Sequence, residues 1–203
     1  MQSARYRAAV AASWLVVVLA GGIPAQAAPA TSSGTFQPRP LIGHALLDLR
    51  GGLGSGPTGP NAQICVEVAP HRNVAIEACG TGGGFLYPEV GEEIMHLRAE
   101  GAFPIWQRGR AELWVQPGIG MAEIQRGTDE RGFRFGPATS AGQRDGAGPE
   151  LSLGLKGRWW VGDWVYLAGE ASSGATWIEA APVVLQQDTA IVPFLTGTMG
   201  VGF

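Results

Sequence analysis

Few side chains in this sequence can form covalent bonds or bind a transition metal. They are two cysteines, Cys65 and Cys79, and three histidines, His44, His71 and His96. No pair of them has the spacing of zinc ligands, so the sequence predicts no metal site and no cofactor. An even cysteine count is typical of an exported protein whose thiols pair in an oxidising compartment. The alternative is two buried, unreactive thiols.

Nucleophilic catalysis requires a nucleophile, a base and an orienting carboxylate within reach of one another. No serine lies near His44 or His96 in the sequence, and neither an H-x-S nor a G-x-S-x-G motif occurs. We interpret these histidines as members of a polar network, and we predict no catalytic residues.

Charged residues of both signs recur at alternate positions of apolar segments. Such a balance suits ion pairing inside a narrow space better than a solvated face. The expected polar faces also carry Arg110 and Glu150. The ten residues predicted to form an internal network are Asp48, Arg50, Glu67, Glu77, Arg98, Glu100, Glu112, Lys156, Arg158 and Glu170.

The elements that position these residues are about eight segments of alternating polarity. Successive side chains of a strand point to opposite faces, so each segment has one polar and one apolar face. No charge interrupts the apolar faces before Glu123. The predicted strands lie near 41–51, 61–70, 74–83, 92–103, 109–124, 148–160, 163–173 and 189–203.

The connections between the predicted strands alternate in length. Short turns are expected at 70–73, 106–109 and 161–163, and longer loops at 52–60, 84–91, 126–147 and 174–188. Short turns on one rim and long loops on the other are typical of outer-membrane barrels. The expected girdle of aromatic residues at the short-turn rim consists of Phe103, Trp106, Trp159, Trp160, Trp164 and Phe203.

The predicted fold is therefore all-β, an eight-stranded antiparallel up-and-down transmembrane β-barrel with apolar faces toward lipid. Each apolar face runs for about ten residues, which is the length of a tilted strand that crosses a bilayer. Eight strands enclose an interior that side chains fill, so no open solute pore is expected.

The register of the second and third strands gives a specific prediction for the cysteines. Residue numbers that sum to 144 fall opposite each other if one register holds. The pairs with this sum are Cys65–Cys79, Glu67–Glu77 and Ala69–Ala75. Directly opposed cysteines lie within disulfide reach. The two opposed glutamates need cations, and Arg50 and Arg98 on the neighbouring strands are the expected partners.

The first part of the chain is interpreted as an export signal. Residues 1–27 resemble a cleaved signal peptide, with Arg5 and Arg7 before an apolar run and cleavage near Ala27. The run is too short for a membrane anchor. Residues 28–40 are expected to form a flexible lead-in to the barrel at 41–203. A net charge of −3 argues against a nucleic-acid partner.

The last eleven residues carry a family resemblance. Apolar residues at alternate positions lead to a final aromatic residue, and they are Leu195, Met199, Val201 and Phe203. This pattern resembles the carboxy-terminal assembly signal of bacterial outer-membrane barrels, and the chain as a whole is similar to the small OmpA/OmpX-type barrels. The resemblance implies residence in the bacterial outer membrane among lipid and lipopolysaccharide, insertion by the barrel-assembly machinery, and long loops that face outward. It implies no particular activity.

The loop at 126–147 is the remaining candidate for a contact site. Arg126, Arg131 and Arg134 are candidates for binding lipopolysaccharide phosphates, and Phe133 for seating an extracellular partner. The alternative is a solvated loop of mixed charge. The sequence thus favours a non-enzymatic barrel that serves envelope structure or surface interaction. The alternatives are an enzyme that modifies lipid A, and a soluble periplasmic barrel with a ligand inside its apolar core.

Overall fold

The computed structural model describes residues 45–56, 59–81, 92–127 and 133–203. The predicted signal peptide, the lead-in, His44 and Arg131 lie outside these residues. Within them there is one short helix, α1 (Ala181–Val184), and nine strand segments. The segments are β1 (Leu46–Gly56), β2 (Gly59–His71), β3 (Val74–Thr81), β4 (Glu92–Gly101), β5 (Phe103–Arg108), β6 (Ala111–Arg126), β7 (Asp145–Trp160), β8 (Tyr166–Trp177) and β9 (Ile191–Gly202). No helix in the described ranges is long and apolar enough to span a membrane.

The nine segments form eight barrel strands, because β4 and β5 are consecutive parts of one strand. Both pair with β6, and Ala102 interrupts the strand between them. Every neighbouring pair is antiparallel, and β9 pairs with β1 to close the sheet. The predicted eight-stranded antiparallel barrel is confirmed. Closure leaves no long free edge, which a β-structure in lipid requires.

The register of β2 and β3 follows the predicted sum through most of its length. Cys65 lies opposite Cys79, and Glu67 lies opposite Glu77. The register then shifts between Val68 and His71, and His71 pairs with Val74. Ala69 and Ala75 therefore do not pair as predicted, because an irregularity beside the turn shifts the register of the two strands by one residue.

One of the predicted long loops is wrong. Strand β1 continues to Gly56 and β2 begins at Gly59, so most of 52–60 is strand. Four of the nine residues of this segment are glycines, which are common in turns. They lie instead in a double ladder, where Gly52 faces Gln63 on β2 and Thr198 on β9. The upper rim, defined here as the rim of the connections 57–58, 82–91, 127–144 and 178–190, still carries three of the predicted longer connections. The opposite end, with the turns at 72–73, 109–110 and 161–165, is the lower rim.

The distribution of polarity in the barrel is inverted relative to a soluble protein. The ten residues predicted for the internal network are all buried. Large apolar side chains point outward on every strand, among them Leu49, Ile76, Leu97, Ile119, Leu155, Leu167 and Met199. A soluble barrel with a ligand in its core requires the opposite arrangement, with apolar side chains inside.

Three residues depart from the faces predicted for them. Trp160, expected in the aromatic girdle, is only 1% exposed and packs inside the barrel against Tyr166, with tilted rings whose centroids are 4.7 Å apart. Arg110 lies in the exposed turn between β5 and β6 and donates a hydrogen bond to the Val161 carbonyl at 3.0 Å. Glu123 has outward parity, yet it is buried at the upper end of β6.

Candidate functional site

The site with the most chemistry is the barrel interior, and the disulfide lies on its wall. Cys65 and Cys79 are bonded, with Cα atoms 4.1 Å apart, and both are buried. The predicted disulfide is confirmed. Polar groups of the interior surround it, since Gln63 Nε2 lies 3.4 Å from Cys65 Sγ and Arg98 Nη2 lies 3.6 Å from Cys79 Sγ.

Arg50 is the centre of the internal ion-pair network. Its Nε donates to Asp48 at 3.0 Å, and its Nη2 donates to Glu67 at 3.1 Å. It also pairs with Glu77 and with Glu170. A single guanidinium therefore contacts carboxylates from strands β1, β2, β3 and β8. Its planar fork of donors suits this role better than the point charge of a lysine.

Lys156 and Arg158 extend the network across the barrel. Both lie on β7, and both contact Glu67 on β2, four strands away. Lys156 also pairs with Asp48. The hydroxyl of Tyr166 donates to the same carboxylate at 3.2 Å. These pairs connect opposite walls, so they hold the barrel together independently of its backbone ladders.

A second group of charges lies nearer the upper rim, around Arg98. Its Nε donates to Glu77 at 2.7 Å and lies 3.4 Å from Glu100. Its Nη1 lies 3.5 Å from Glu150, which also contacts Nδ1 of His96 at 2.5 Å. Arg98 thus shares one charge among three buried carboxylates.

Glu112 does not join the ion pairs of this interior. Its carboxylate accepts hydrogen bonds from Gln107 at 3.2 Å and from the indole of Trp114 at 3.1 Å. Glu112 lies near the lower rim, directly opposite Arg158 across the β6–β7 ladder. Its inward face is as predicted, whereas its hydrogen-bond partners could not be predicted from strand parity.

Aromatic side chains close the interior toward the lower rim. The guanidinium of Arg158 lies 5.3 Å from the ring centroid of Trp114 and 5.4 Å from that of Tyr166. Trp160 packs on Tyr166 beside them. Cation–π contact of this kind stabilises a charged group away from water. These residues fill the section of the barrel between the network and the lower rim.

A cluster of apolar residues, here called the upper cap, fills the other end. Helix α1 contributes Ala181 and Val184 to this cluster, and the chain just before the helix contributes Ile178 and Ala180. The strand ends contribute Ile94 from β4, Ala122 and Ile124 from β6, and Val192 from β9. Phe194 lies below the cap, with its ring centroid 4.6 Å from that of His96. The charged network is therefore enclosed between the upper cap and the aromatic residues at the lower rim.

Strand parity predicts the inward face of the remaining residues of this site. His96 is expected in a polar network and Glu150 on a polar face, and both are buried inside the barrel. Tyr166 and Gln116 follow the same alternation and are fully buried as well. Sequence reasoning missed the contacts between these side chains, such as Glu150 with His96, because parity does not predict partners across the barrel.

The residues of the predicted assembly signal lie on the outer surface of β9. Leu195, Met199 and Val201 are exposed, and Phe203 is partly exposed. Phe203 and Leu47 exchange two backbone hydrogen bonds of 2.8 Å, so the chain terminus is held against the start of β1.

The described part of loop 126–147 is held by contacts within the loop and with helix α1. Arg126 Nη1 donates to the carbonyl of Val184 at 3.3 Å, and Arg134, half exposed, pairs with Asp145 at 3.2 Å. Phe133 stacks on Phe135, with centroids 6.3 Å apart. The structure thus places these candidate contact residues at the upper rim, above the apolar belt.

The structure brings no histidine of the described residues into a catalytic arrangement. His96 is bound to Glu150 within the enclosed interior. His71 ends β2 at the lower rim, where its Nδ1 accepts a hydrogen bond from the Asn73 amide at 3.4 Å.

Solved structures of at least two other proteins match this chain. Neisserial surface protein A matches with a TM-score of 0.50 and 9% identity, over 78% of this chain and 94% of that protein. Ail, the attachment invasion locus protein of Yersinia pestis, matches with a TM-score of 0.37 and 10% identity, over 78% of this chain and 94% of that protein. No family model and no curated protein matches the sequence. At 9% identity, the likeness to the neisserial protein shows the fold alone: this chain has the eight-stranded fold of a small outer-membrane β-barrel.

Proposed function

We propose that this protein is a non-enzymatic barrel of the bacterial outer membrane, without an open solute pore, that serves envelope structure or surface interaction through its upper-rim loops. The observation that carries the proposal is the inversion of polarity. The ten predicted network residues and Glu150 are buried inside, whereas leucine, isoleucine, valine and methionine face outward on all sides. Such a surface is stable only in contact with hydrocarbon.

The outward apolar belt has the dimensions of a membrane span. On β7 it runs from Leu151 to Trp159, which is about 26 Å along the strand at roughly 3.3 Å per residue. Phe103, Trp106 and Trp164 are exposed toward the lower rim, where an interfacial girdle belongs. Glu123 and Asp145 lie above the belt, at the ends of β6 and β7.

The closed interior supports the absence of a pore. The upper cap and the aromatic residues at the lower rim leave the charged network without a described aqueous path. The same enclosure argues against catalysis on lipid, because His96 lies beneath the cap and no lipid headgroup reaches it. Comparison of lipid A profiles with and without the protein tests the enzyme alternative directly.

We propose contact with lipopolysaccharide phosphate through Arg126 and Arg134 at the upper rim, and through Arg131, which lies outside the described residues. Arg134 is half exposed, and its fork of donors can bind phosphate while one side contacts Asp145. Phe133 and Phe135 offer an aromatic surface beside it to an extracellular partner.

The first experiment is electrophoresis of fractionated membranes, with and without boiling in detergent. We expect the protein in the outer-membrane fraction, with a mobility that shifts on heating because a closed barrel stays folded in cold detergent. Reconstituted protein should also show no conductance steps in a planar bilayer. A soluble protein without a heat shift would contradict the proposal.

Binding to lipopolysaccharide is tested separately with the Arg126→Gln, Arg134→Gln double variant. Retention of lipopolysaccharide on the purified barrel should fall, while the heat shift remains. Arg72→Gln, in the exposed turn of the lower rim, is the matched control. Unchanged retention in the double variant would remove the arginines from the proposal.

A further inference from the structure

The charges of the barrel interior do not balance among the described residues. The connected network contains six carboxylates, from Asp48, Glu67, Glu77, Glu100, Glu150 and Glu170. Its permanent cations are Arg50, Arg98, Lys156 and Arg158. Even with His96 charged beside Glu150, one negative charge remains in excess. An uncompensated charge is costly in an interior closed to water.

The excess falls on Glu100. Neither of its carboxylate oxygens has a hydrogen-bond partner, although the side chain is buried. Its nearest cation is Nε of Arg98 at 3.4 Å, and that same atom donates to Glu77 at 2.7 Å. Oxygens of Glu67, Glu77, Glu100 and Glu170 nevertheless lie within 4.8 Å of one another, which is the spacing of ligands around one ion.

An independent observation at the same place is the side chain of Gln116. It is 0% exposed, and neither its amide oxygen nor its amide nitrogen has a hydrogen-bond partner. Gln116 faces Gly154 across the β6–β7 ladder. The space that a side chain at Gly154 would fill is bordered by Glu170 Oε1 at 3.2 Å and by Cβ of Gln116 at 3.5 Å. Gln116 and Glu170 therefore border the same space.

Gly118, the next inward residue on β6, allows a second close approach of polar groups. A Cβ at this position would overlap the hydroxyl of Ser152, which also has no hydrogen-bond partner, and would lie 3.2 Å from Cγ of Glu100. The two glycines thus let two carboxylates, an amide and a hydroxyl come together against the inner wall of the barrel. All four groups supply oxygen atoms, which are the ligands of hard cations.

We propose that the interior binds one calcium-type divalent cation, with Glu100, Glu170, Gln116 and Ser152 as its protein ligands. Ca²⁺ accepts six to eight oxygens in irregular geometry, whereas Mg²⁺ requires a near-ideal octahedron. The proposal departs from the absence of a metal predicted from the cysteine and histidine spacing, because its ligands come from four strand faces that no local motif connects. Because both ends of the barrel are closed, the ion is incorporated during folding and retained afterwards.

The test is refolding of the full mature chain from urea into detergent, with Ca²⁺ or with EDTA, followed by desalting into EDTA. Bound metal is then measured by plasma mass spectrometry, with the heat shift as the check for a folded barrel. We expect about one calcium ion per chain, retained in EDTA until the barrel is unfolded. Folded protein without stoichiometric calcium, or with Na⁺ supporting the same stability as Ca²⁺, would overturn the proposal.

Glu100→Gln removes one ligand charge with little change of shape, and it should lower bound calcium at least about tenfold. Glu112→Gln is the matched control, since Glu112 is an equally inward carboxylate outside the network, and it should keep the ion. Without calcium, Glu100→Gln should melt at a higher temperature than the wild type, because the excess charge is gone. If the two melt alike and neither holds calcium, Glu100 is neutralised by a proton and the cation site is excluded.

Discussion

At the residue scale, the most consequential side chain is Arg50. Four carboxylates from four strands converge on its guanidinium, and its own exposure to water is 1%. A buried ion pair is weak evidence of net stability, but removal of one partner is strongly unfavourable because it leaves the others unpaired.

Replacement of Arg50 by Met should therefore destabilise the barrel by about 3–5 kcal/mol or more, since several carboxylates lose a partner at once. The measurement is the urea midpoint of unfolding in detergent micelles, read from the heat-sensitive band. Arg72→Met, in the exposed turn at 72–73, should leave the midpoint unchanged. Equal midpoints for the two variants would show that the network does not depend on Arg50.

Gly202 makes a second residue-scale prediction. A Cβ at this position would overlap the ring of Tyr166. The ring lies against the glycine, and its hydroxyl donates a hydrogen bond to Asp48. Gly202→Ala should cost about 1–3 kcal/mol, as overpacking does in a well-packed core. Gly197→Ala is the control on the same strand, because nothing lies within 4 Å of that position. In a Tyr166→Ala background the cost of Gly202→Ala should largely disappear.

At the element scale, the barrel shows which features a sequence can reveal. Alternation identified the strands and the inward faces, because polarity with a period of two is local. The sequence does not predict the end of β1, because glycine occurs both in paired strands and in turns. The prediction that Trp160 belongs to the aromatic girdle depends on its aromatic neighbours near the rim. Its position in the alternation of β7 points inward instead, and this is where the side chain lies. Contacts across the barrel, such as Lys156 with Glu67, depend on closure and are not encoded in any local pattern.

The disulfide between β2 and β3 contributes at the same scale. A double Cys65→Ser, Cys79→Ser variant should lose about 3 kcal/mol, the chain-entropy value for a loop closed over 14 residues. The urea midpoint of unfolding in detergent measures the loss. As a control, wild-type protein that is unfolded, reduced and refolded in the presence of reductant should have the same midpoint as the variant. A variant as stable as the oxidised wild type would mean that the paired ladders already restrict this hairpin fully.

At the scale of the whole molecule, the question is where the bilayer lies along the barrel. Leu155 lies near the middle of the outward belt on β7, and Val161 lies in a turn at the lower rim. Leu155→Lys should cost about 2–4 kcal/mol of folding free energy in lipid vesicles, and Val161→Lys only about 0–1. In detergent micelles the difference should shrink. Equal costs at both positions would contradict a lipid-facing belt.

The buried position of the disulfide also determines when during folding the bond can form. Both sulfur atoms lie inside a barrel that the pairing of β1 with β9 closes, so an oxidase or isomerase can reach the thiols only before that closure. The cysteines are 14 residues apart on one hairpin, so they can meet while the rest of the chain is still extended. Enzymatic oxidation of this pair must therefore precede closure of the barrel. A chain that closes with free thiols keeps them, out of reach of the enzymes that would correct the error.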